Sequence, residues 1–134
     1  MKLLMIYTSE FSFETSQKSL PGIDELESRK RFENVQLALI QMEEHDEENP
    51  PLKKAANFIK WLSRKHAFEA IVLHSFSHLS ESKAEPTFAA DFLNQLDERL
   101  QKSGFNVHQT PYGYFLNLEI KAPGFSLARV FKSF

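Results

Sequence analysis

Lys2–Thr8 reads KLLMIYT, and Ser9-Glu10 then leads into Phe11-Ser12-Phe13-Glu14-Thr15. The first stretch is an apolar run of β-favouring residues without Gly or Pro, which predicts a buried strand at the centre of a sheet. In the second, Phe11, Phe13 and Thr15 alternate with polar Ser12 and Glu14. That period of two predicts a separate strand, with Ser9 and Glu10 as the turn between them. Ser16–Arg31 is polar, contains Pro21-Gly22 and reads as an exposed loop with at most one short helix. Val35–Met42 (VQLALIQM) reads as a strand, although its Leu, Ala and Gln content also suits a helix. The acidic stretch from Glu43 reads as a solvated loop closed by Asn49-Pro50-Pro51, which no helix interior can contain.

Beyond Pro51, Leu52, Ala55, Ala56, Ile59, Leu62 and Ser63 recur at helical spacing, with Lys53, Lys54, Lys60 and Arg64 on the other face. Ala67–His74 (AFEAIVLH) predicts a central strand and Ser75–Glu85 a loop from strand to helix. Pro86 opens a second helix with an Ala89, Phe92, Leu93, Leu96, Leu100 stripe, and Gly104 ends it. Phe105–Gln109 and Tyr114–Lys121 read as strands around a Pro111-Tyr112-Gly113 turn. Pro123-Gly124 marks another turn, and Ser126–Phe131 fits either strand or short helix. This order of elements predicts an α/β chain: a single mixed-sheet domain over residues 1–134 with helices packed on the sheet.

Composition narrows the classes further. A chain of 134 residues can bury a sizeable core without staples, and its 42% hydrophobic and 25% charged shares exclude a disordered or collagen-like protein. Apolar runs such as Ala70–Leu73 are far shorter than the ~20 residues a membrane-spanning helix needs. There is no cysteine, so disulfides, thiolate metal sites and a cysteine nucleophile are excluded, which favours the cytoplasm. Met1–Tyr7 reads as a strand rather than a secretory leader. A net charge of −2 argues against a general polyanion binder. Yet from Gln101 onward Lys102, Lys121, Arg129 and Lys132 face the single acid Glu119, while acid concentrates in Glu43, Glu44, Asp46, Glu47 and Glu48. Of the aromatic residues 13 are Phe; lacking a polar tip, they read first as core filling.

Candidate chemistry gathers after the strand ending at His74. His74 and His78 lie at a strand end and in the following loop, where functional residues collect. Two imidazoles four positions apart on an extended chain can share a metal, but no third ligand is nearby and no HExxH pattern exists, so no metal is expected. A single acid/base or hydrogen-bonding histidine is the better reading, with a histidine pinning the loop as the structural alternative. Ser75, Ser77 and Ser80 crowd the same loop without a nucleophile elbow. The four glycines are isolated, so the phosphate loop and the dinucleotide fingerprint are absent and no cofactor is expected. The acidic run lacks the alternating ligands and glycine of a calcium loop.

Read together, several blocks resemble the amino-terminal editing domain of archaeal-type threonyl-tRNA synthetases, whose fold is D-aminoacyl-tRNA deacylase-like. They are KLLMIYTSEFSFE at the start, HDEENP after a strand, LHSFSHLSESKAEP leading into a helix, and GFNVHQTPYGYF followed by a strand and GFSLAR. The blocks keep the family's order and nearly its spacing, and they span essentially the whole chain. What the resemblance implies is a stand-alone homologue of a second sieve, one that hydrolyses serine wrongly esterified to threonine tRNA and so supplies discrimination that a single pocket cannot. His78 matches the family histidine of the HLS block and is the implied catalytic residue. Pro111, Tyr112 and Gly113 match the turn at the adenosine end of the pocket and, with Ser77, are the implied substrate-binding residues. Partners implied are the aminoacyl-tRNA 3′ end, a second copy of the chain paired through its sheet, and a separate threonyl-tRNA synthetase; no membrane is implied.

The chain also departs from the family pattern. Phe115 and Leu116 replace a tyrosine and the catalytic lysine. Gly124-Phe125-Ser126 replaces Gly-His-Pro, Arg129 stands at an acidic position, and Ser75 replaces a proline. Phe115 and Phe125 thus stand at or beside positions where relatives keep polar catalytic groups. Leucine cannot donate to an oxyanion, so chemistry that depends on the lysine falls by orders of magnitude. This leaves two expectations: a deacylase with altered chemistry, or a catalytically inactive module that binds aminoacyl-tRNA, adenosine or a partner protein.

Overall fold

The computed structural model describes residues 1–134 and is organised by one strand. Lys2–Lys18 forms β1, 17 residues without interruption, so the expected turn at Ser9-Glu10 does not exist. Along its length β1 pairs antiparallel with β2 (Arg29–Gln41), from Lys2↔Gln41 to Glu14↔Arg29. The alternation that suggests two strands records a change of face. Leu3 and Met5 join the core under the helices, whereas Phe11 and Phe13 join Val35, Leu37 and Leu39 in a second cluster. In this register Asn34 falls opposite Ser9, and it adopts φ 52°. A left-handed residue in a strand bends it and re-aims the residues beyond it. The outer half of β2, Arg29–Glu33, is mostly exposed and so carries no apolar pattern, which is why it reads as loop.

The chain then crosses to one face of the sheet and returns twice. After a 3-10 turn at Glu44–Glu47 come α1 (Leu52–Ser63), β3 (Ala70–Ser75), α2 (Pro86–Lys102) and β4 (Val107–Gln109). β2, β3 and β4 are parallel neighbours, as helix crossovers require. β5 (Tyr114–Lys121) and β6 (Arg129–Ser133) share the other edge of β1: β5 pairs with Glu10–Lys18 and β6 with Lys2–Ile6. The uncertain last segment is therefore strand, starting at Arg129. The strand order is β4-β3-β2-β1-β5, with β6 also on β1.

Between sheet and helices lies a core that includes Ala55, Ile59 and Leu62 of α1 and Phe92, Leu96 and Leu100 of α2, set on Leu3, Met5, Ile40, Ile71 and Leu73. Each large apolar side chain sealed there contributes about 1.5–3 kcal/mol. The acidic stretch is only partly a solvated loop: Glu44, Glu47 and Glu48 are exposed, but two of its carboxylates are not. Glu43 and Asp46 are 5% and 1% exposed, and their carboxylates hold the buried Met1 ammonium at 2.8 and 2.7 Å. With His45 they form the tight grouping of ligand atoms expected around a cation, and the cation they hold is the chain's own amine. No helix is long and apolar enough to cross a membrane.

Candidate functional site

The parallel strands end together, and at their carboxyl ends a cleft of about 430 Å³ opens. This is where open α/β sheets place ligands. One wall is the loop after β3, with Ser75, Phe76, Ser77, His78 and Lys83; the other is the turn from β4 into β5, Thr110–Leu116 with Leu118. Met42 and Ala89 also line it.

The turn is fixed from two sides. The Thr110 backbone N–H donates to the Leu73 carbonyl at 3.0 Å, and the Ser19 N–H donates to the Gly113 carbonyl at 2.8 Å. Gly113 has φ 91°, and a Cβ there would lie 3.0 Å from Ile23 Cδ1 and 3.3 Å from Leu20 Cδ1. Both backbone and space therefore call for glycine.

The loop carrying His78 is held chiefly by one buried side chain. Gln41 Oε1 accepts from the Leu79 and Ser80 N–H groups at 2.6 and 2.8 Å, and Gln41 Nε2 donates to the Ser80 and Ser82 carbonyls at 2.7 and 2.9 Å. Its amide thus uses both lone pairs and both hydrogens. Ser80 Oγ donates to Glu43 Oε2 at 2.6 Å, tying the loop to the carboxylate that grips Met1.

The two histidines differ in environment. His74 is buried, with Nδ1 2.8 Å from Thr110 Oγ1. Burial, reinforced by His78, pushes its pKa down to about 4, so its imidazole is neutral at pH 7. His78 is exposed and sets its ring edge-on to Phe76, with centroids 4.9 Å apart. Burial pushes the Tyr112 phenol up from its ordinary range, so it remains a neutral donor. Lys83 is the one lysine or arginine lining the cleft, and no carboxylate lines it. The arrangement suits a ligand rich in acceptor oxygens or carrying negative charge. It does not form a serine–histidine nucleophile pair, because the hydroxyl bonded to an imidazole belongs to Thr110, not to Ser75 or Ser77.

His78, Ser77, Pro111, Tyr112 and Gly113, far apart in sequence, all line this one cleft, and so do Phe115 and Leu116. Phe125 does not. Its ring packs 5.4 Å from Tyr7 and 5.1 Å from His66, so, unlike Phe115, it lies outside the cleft although it stands at or beside a position where relatives keep a polar catalytic group. Arg129 also lies outside the cleft, its Nη1 donating to the Pro123 carbonyl at 3.0 Å. Lys83, Thr110 and Gln41 escape sequence reasoning. Lys83 leaves a faint signal as the only cationic side chain between Lys65 and Arg99 apart from the histidines.

Three comparisons bear on this geometry. The model of the archaea-specific editing domain of threonyl-tRNA synthetase matches residues 1–134. The threonine–tRNA ligases of Thermococcus onnurineus and Pyrococcus furiosus are 32% and 31% identical to this chain over 135 residues. Those alignments cover 97% of the chain but only 22% of each ligase. Among solved structures, the c-Myc DNA unwinding element binding protein has a TM-score of 0.72 over 99% of this chain and 98% of its own, at 12% identity. That likeness is one of fold, the D-aminoacyl-tRNA deacylase-like arrangement of a curled sheet and two helices.

Proposed function

Since the chain belongs to the family of the archaea-specific editing domain of threonyl-tRNA synthetase, we propose that its cleft takes the 3′ end of a mischarged tRNA and hydrolyses the aminoacyl ester. The observation that carries the reading is the convergence of the His78 loop and the Pro111–Gly113 turn on one cleft with a cation and no carboxylate. Pro111, Tyr112 and Gly113 form the surface for the terminal adenosine, and Ser77 contacts the aminoacyl group. Water adds to the ester carbonyl, the bond from acyl carbon to ribose oxygen breaks, and one proton of the water passes to the ribose oxygen while the other is released to solvent as the amino acid leaves as a carboxylate. His78, exposed at the rim, carries the proton that passes to the ribose oxygen. Neutral His74 orients Thr110 behind the turn. The substrate class is a seryl ester of threonine tRNA, made by a threonyl-tRNA synthetase.

The test is release of serine from mischarged threonine tRNA by the wild type and by His78→Ala. The expected result is hydrolysis above the spontaneous rate, reduced about 10²-fold or more in the variant, as for a lost general acid/base. Equal rates in wild type and buffer, across a panel of charged tRNAs, would end the reading.

Leu116 favours a second reading, in which the cleft binds the aminoacyl-adenosine end without chemistry. Its side chain lines the cleft at the position where the family pattern has a lysine, and it has nothing to donate. Under this reading calorimetry finds binding of a non-hydrolysable aminoacyl-adenosine analogue, wild type is inert, and Leu116→Lys gains hydrolysis. We also propose that two copies pair through the sheet face that carries no helix.

A further inference from the structure

The solvent face of α1 is a second feature that the cleft does not use. Lys53, Lys54, Asn57, Trp61, Arg64 and Lys65 are exposed, with Lys60 half-buried beside them. At 3.6 residues per turn these positions fall on one side of the helix, opposite buried Ala55, Ala56, Ile59 and Leu62. From Leu52 to Phe68 there is no acidic residue. The ion pairs that lysine and arginine side chains make in this protein use Lys2, Lys18, Arg29 and Arg31, none of them on α1. A helix that merely needs solubility interleaves signs, because like charges four apart, here Lys60 and Arg64, repel. Five cations beside an aromatic, in a chain of net charge −2, are a segregated patch. Lys65 Nζ lies 5.3 Å over the Trp61 ring, and Lys132 Nζ lies 6.0 Å over Phe58 and extends the patch toward β6.

The patch is aligned with the cleft. The first turn of α2, Pro86 and Ala89, lines the cleft. Near the other end of the pair, Lys60 Nζ reaches Ser103 Oγ, just past the last residue of α2, at 3.5 Å. The two helices therefore run the same way, and α1 starts at the cleft end. Lys53 and Lys54 stand at that end, and Arg64 and Lys65 about a helix length away, roughly 18 Å. A polyanion laid along α1 would have one end toward the cleft, beside the exposed Glu44, Glu47 and Glu48 that precede the helix.

We propose that this face of α1 docks the phosphate backbone of an RNA duplex, the stem of the tRNA whose 3′ end enters the cleft. The inference rests on the cleft reading for the identity of that RNA and adds a site outside the cleft. Cations set along one helix match a regular row of phosphates, and such contacts position a ligand without reading its sequence. Trp61 is the chain's single tryptophan, so its fluorescence reports on this face alone.

The experiment titrates the protein with an RNA hairpin stem that lacks a single-stranded 3′ end and follows Trp61 emission from 50 to 200 mM salt. Four or five phosphate contacts predict saturable quenching and an affinity that falls about 10²-fold over that range. Replacing Lys53, Lys54, Lys60 and Arg64 by alanine should remove most of the salt dependence, the slope dropping by about one per cation, with the melting transition retained. Arg29→Ala with Lys121→Ala, a control on β2 and β5 rather than on α1, should leave the slope unchanged. If the four-fold variant binds the stem with the wild-type affinity and slope, the proposal is overturned. It is also overturned if a polyglutamate peptide quenches Trp61 and the RNA stem does not, which would assign the face to an acidic protein. Failure of the cleft reading looks different: salt-dependent stem binding persists while wild type releases no amino acid from mischarged tRNA.

Discussion

At the scale of single residues, the cleft depends on side chains that do not line it. Gln41 is 2% exposed and serves four backbone groups of the loop that carries His78. Replacing it with leucine keeps the volume and leaves those amides and carbonyls with no partner, at a cost of about 2–4 kcal/mol. Chemical denaturation of Gln41→Leu should show that loss, and hydrogen exchange should show the Leu79 and Ser80 amides unprotected before the rest of the sheet. Glu43 gives the same network a pH dependence. Burial by itself would raise its pKa, but hydrogen bonds from the Met1 ammonium, Ser80 and Lys2 outweigh it and lower the value from 4.5 to about 2. The folded value lies below the unfolded one, so the stabilisation is complete above pH 4.5 and is lost as pH falls toward 2. Denaturation midpoints measured across that window should drop in the wild type and stay flatter in Glu43→Gln.

At the scale of elements, the bend at Asn34 decides how the long hairpin of β1 and β2 covers the second core. Asn34 sits at φ 52° and its Oδ1 accepts from the Tyr7 hydroxyl at 3.0 Å. Glycine adopts that backbone freely, whereas a β-branched residue does not. Asn34→Gly should keep nearly full stability, and Asn34→Val should lose about 1–2 kcal/mol in an equilibrium melt; equal losses would mean that the side-chain bond, not the backbone, holds the bend. This bend also explains what the sequence conceals. Both helices are legible because their signals are local: Pro51 and Pro86 at the starts, apolar residues at helical spacing, Gly104 after the end. The continuity of β1 is not legible, since a residue on the partner strand switches the face on which its phenylalanines point. The outer half of β2 has too few buried positions to make a pattern, and the acidic run hides a burial whose cause lies at Met1. The site divides the same way. His78, Ser77 and Pro111–Gly113 stand in two blocks with recognisable order, whereas Gln41 and Thr110 matter through partners more than thirty residues away. Phe125 is only ten residues from Phe115. Yet β5 and β6 pair with opposite ends of β1, and the connection between them carries Phe125 away from the cleft.

At the scale of the whole molecule, the two faces of the sheet have unequal cover. Both helices pack on one face. On the other, the curling outer halves of β1 and β5 shelter Phe11, Phe13, Val35, Leu37 and Val72, but the cover stops short of the β1–β6 edge. There Leu4 pairs with Phe131 and Ile6 with Arg129, so these four side chains share the uncovered face. Leu4 and Ile6 are half-buried and Phe131 is 54% exposed. Exposed aromatic and aliphatic groups rimmed by charge mark association surfaces, and a face carried by an edge strand has a natural occupant in its own copy related by a two-fold axis, which meets Phe131 with Phe131. The expected species in solution is a homodimer of twice the 15.5 kDa chain mass. Phe131→Asp places two carboxylates in the centre of that contact and should return the protein to monomer in sedimentation equilibrium. Its melting transition should stay cooperative, because the ring lies outside both cores. Phe115→Asp, at the cleft, should leave the mass unchanged. A wild type that sediments as monomer at micromolar concentration would show that the uncovered face tolerates water, and the pairing of copies would have to be abandoned while the cleft and the basic helix keep their separate tests.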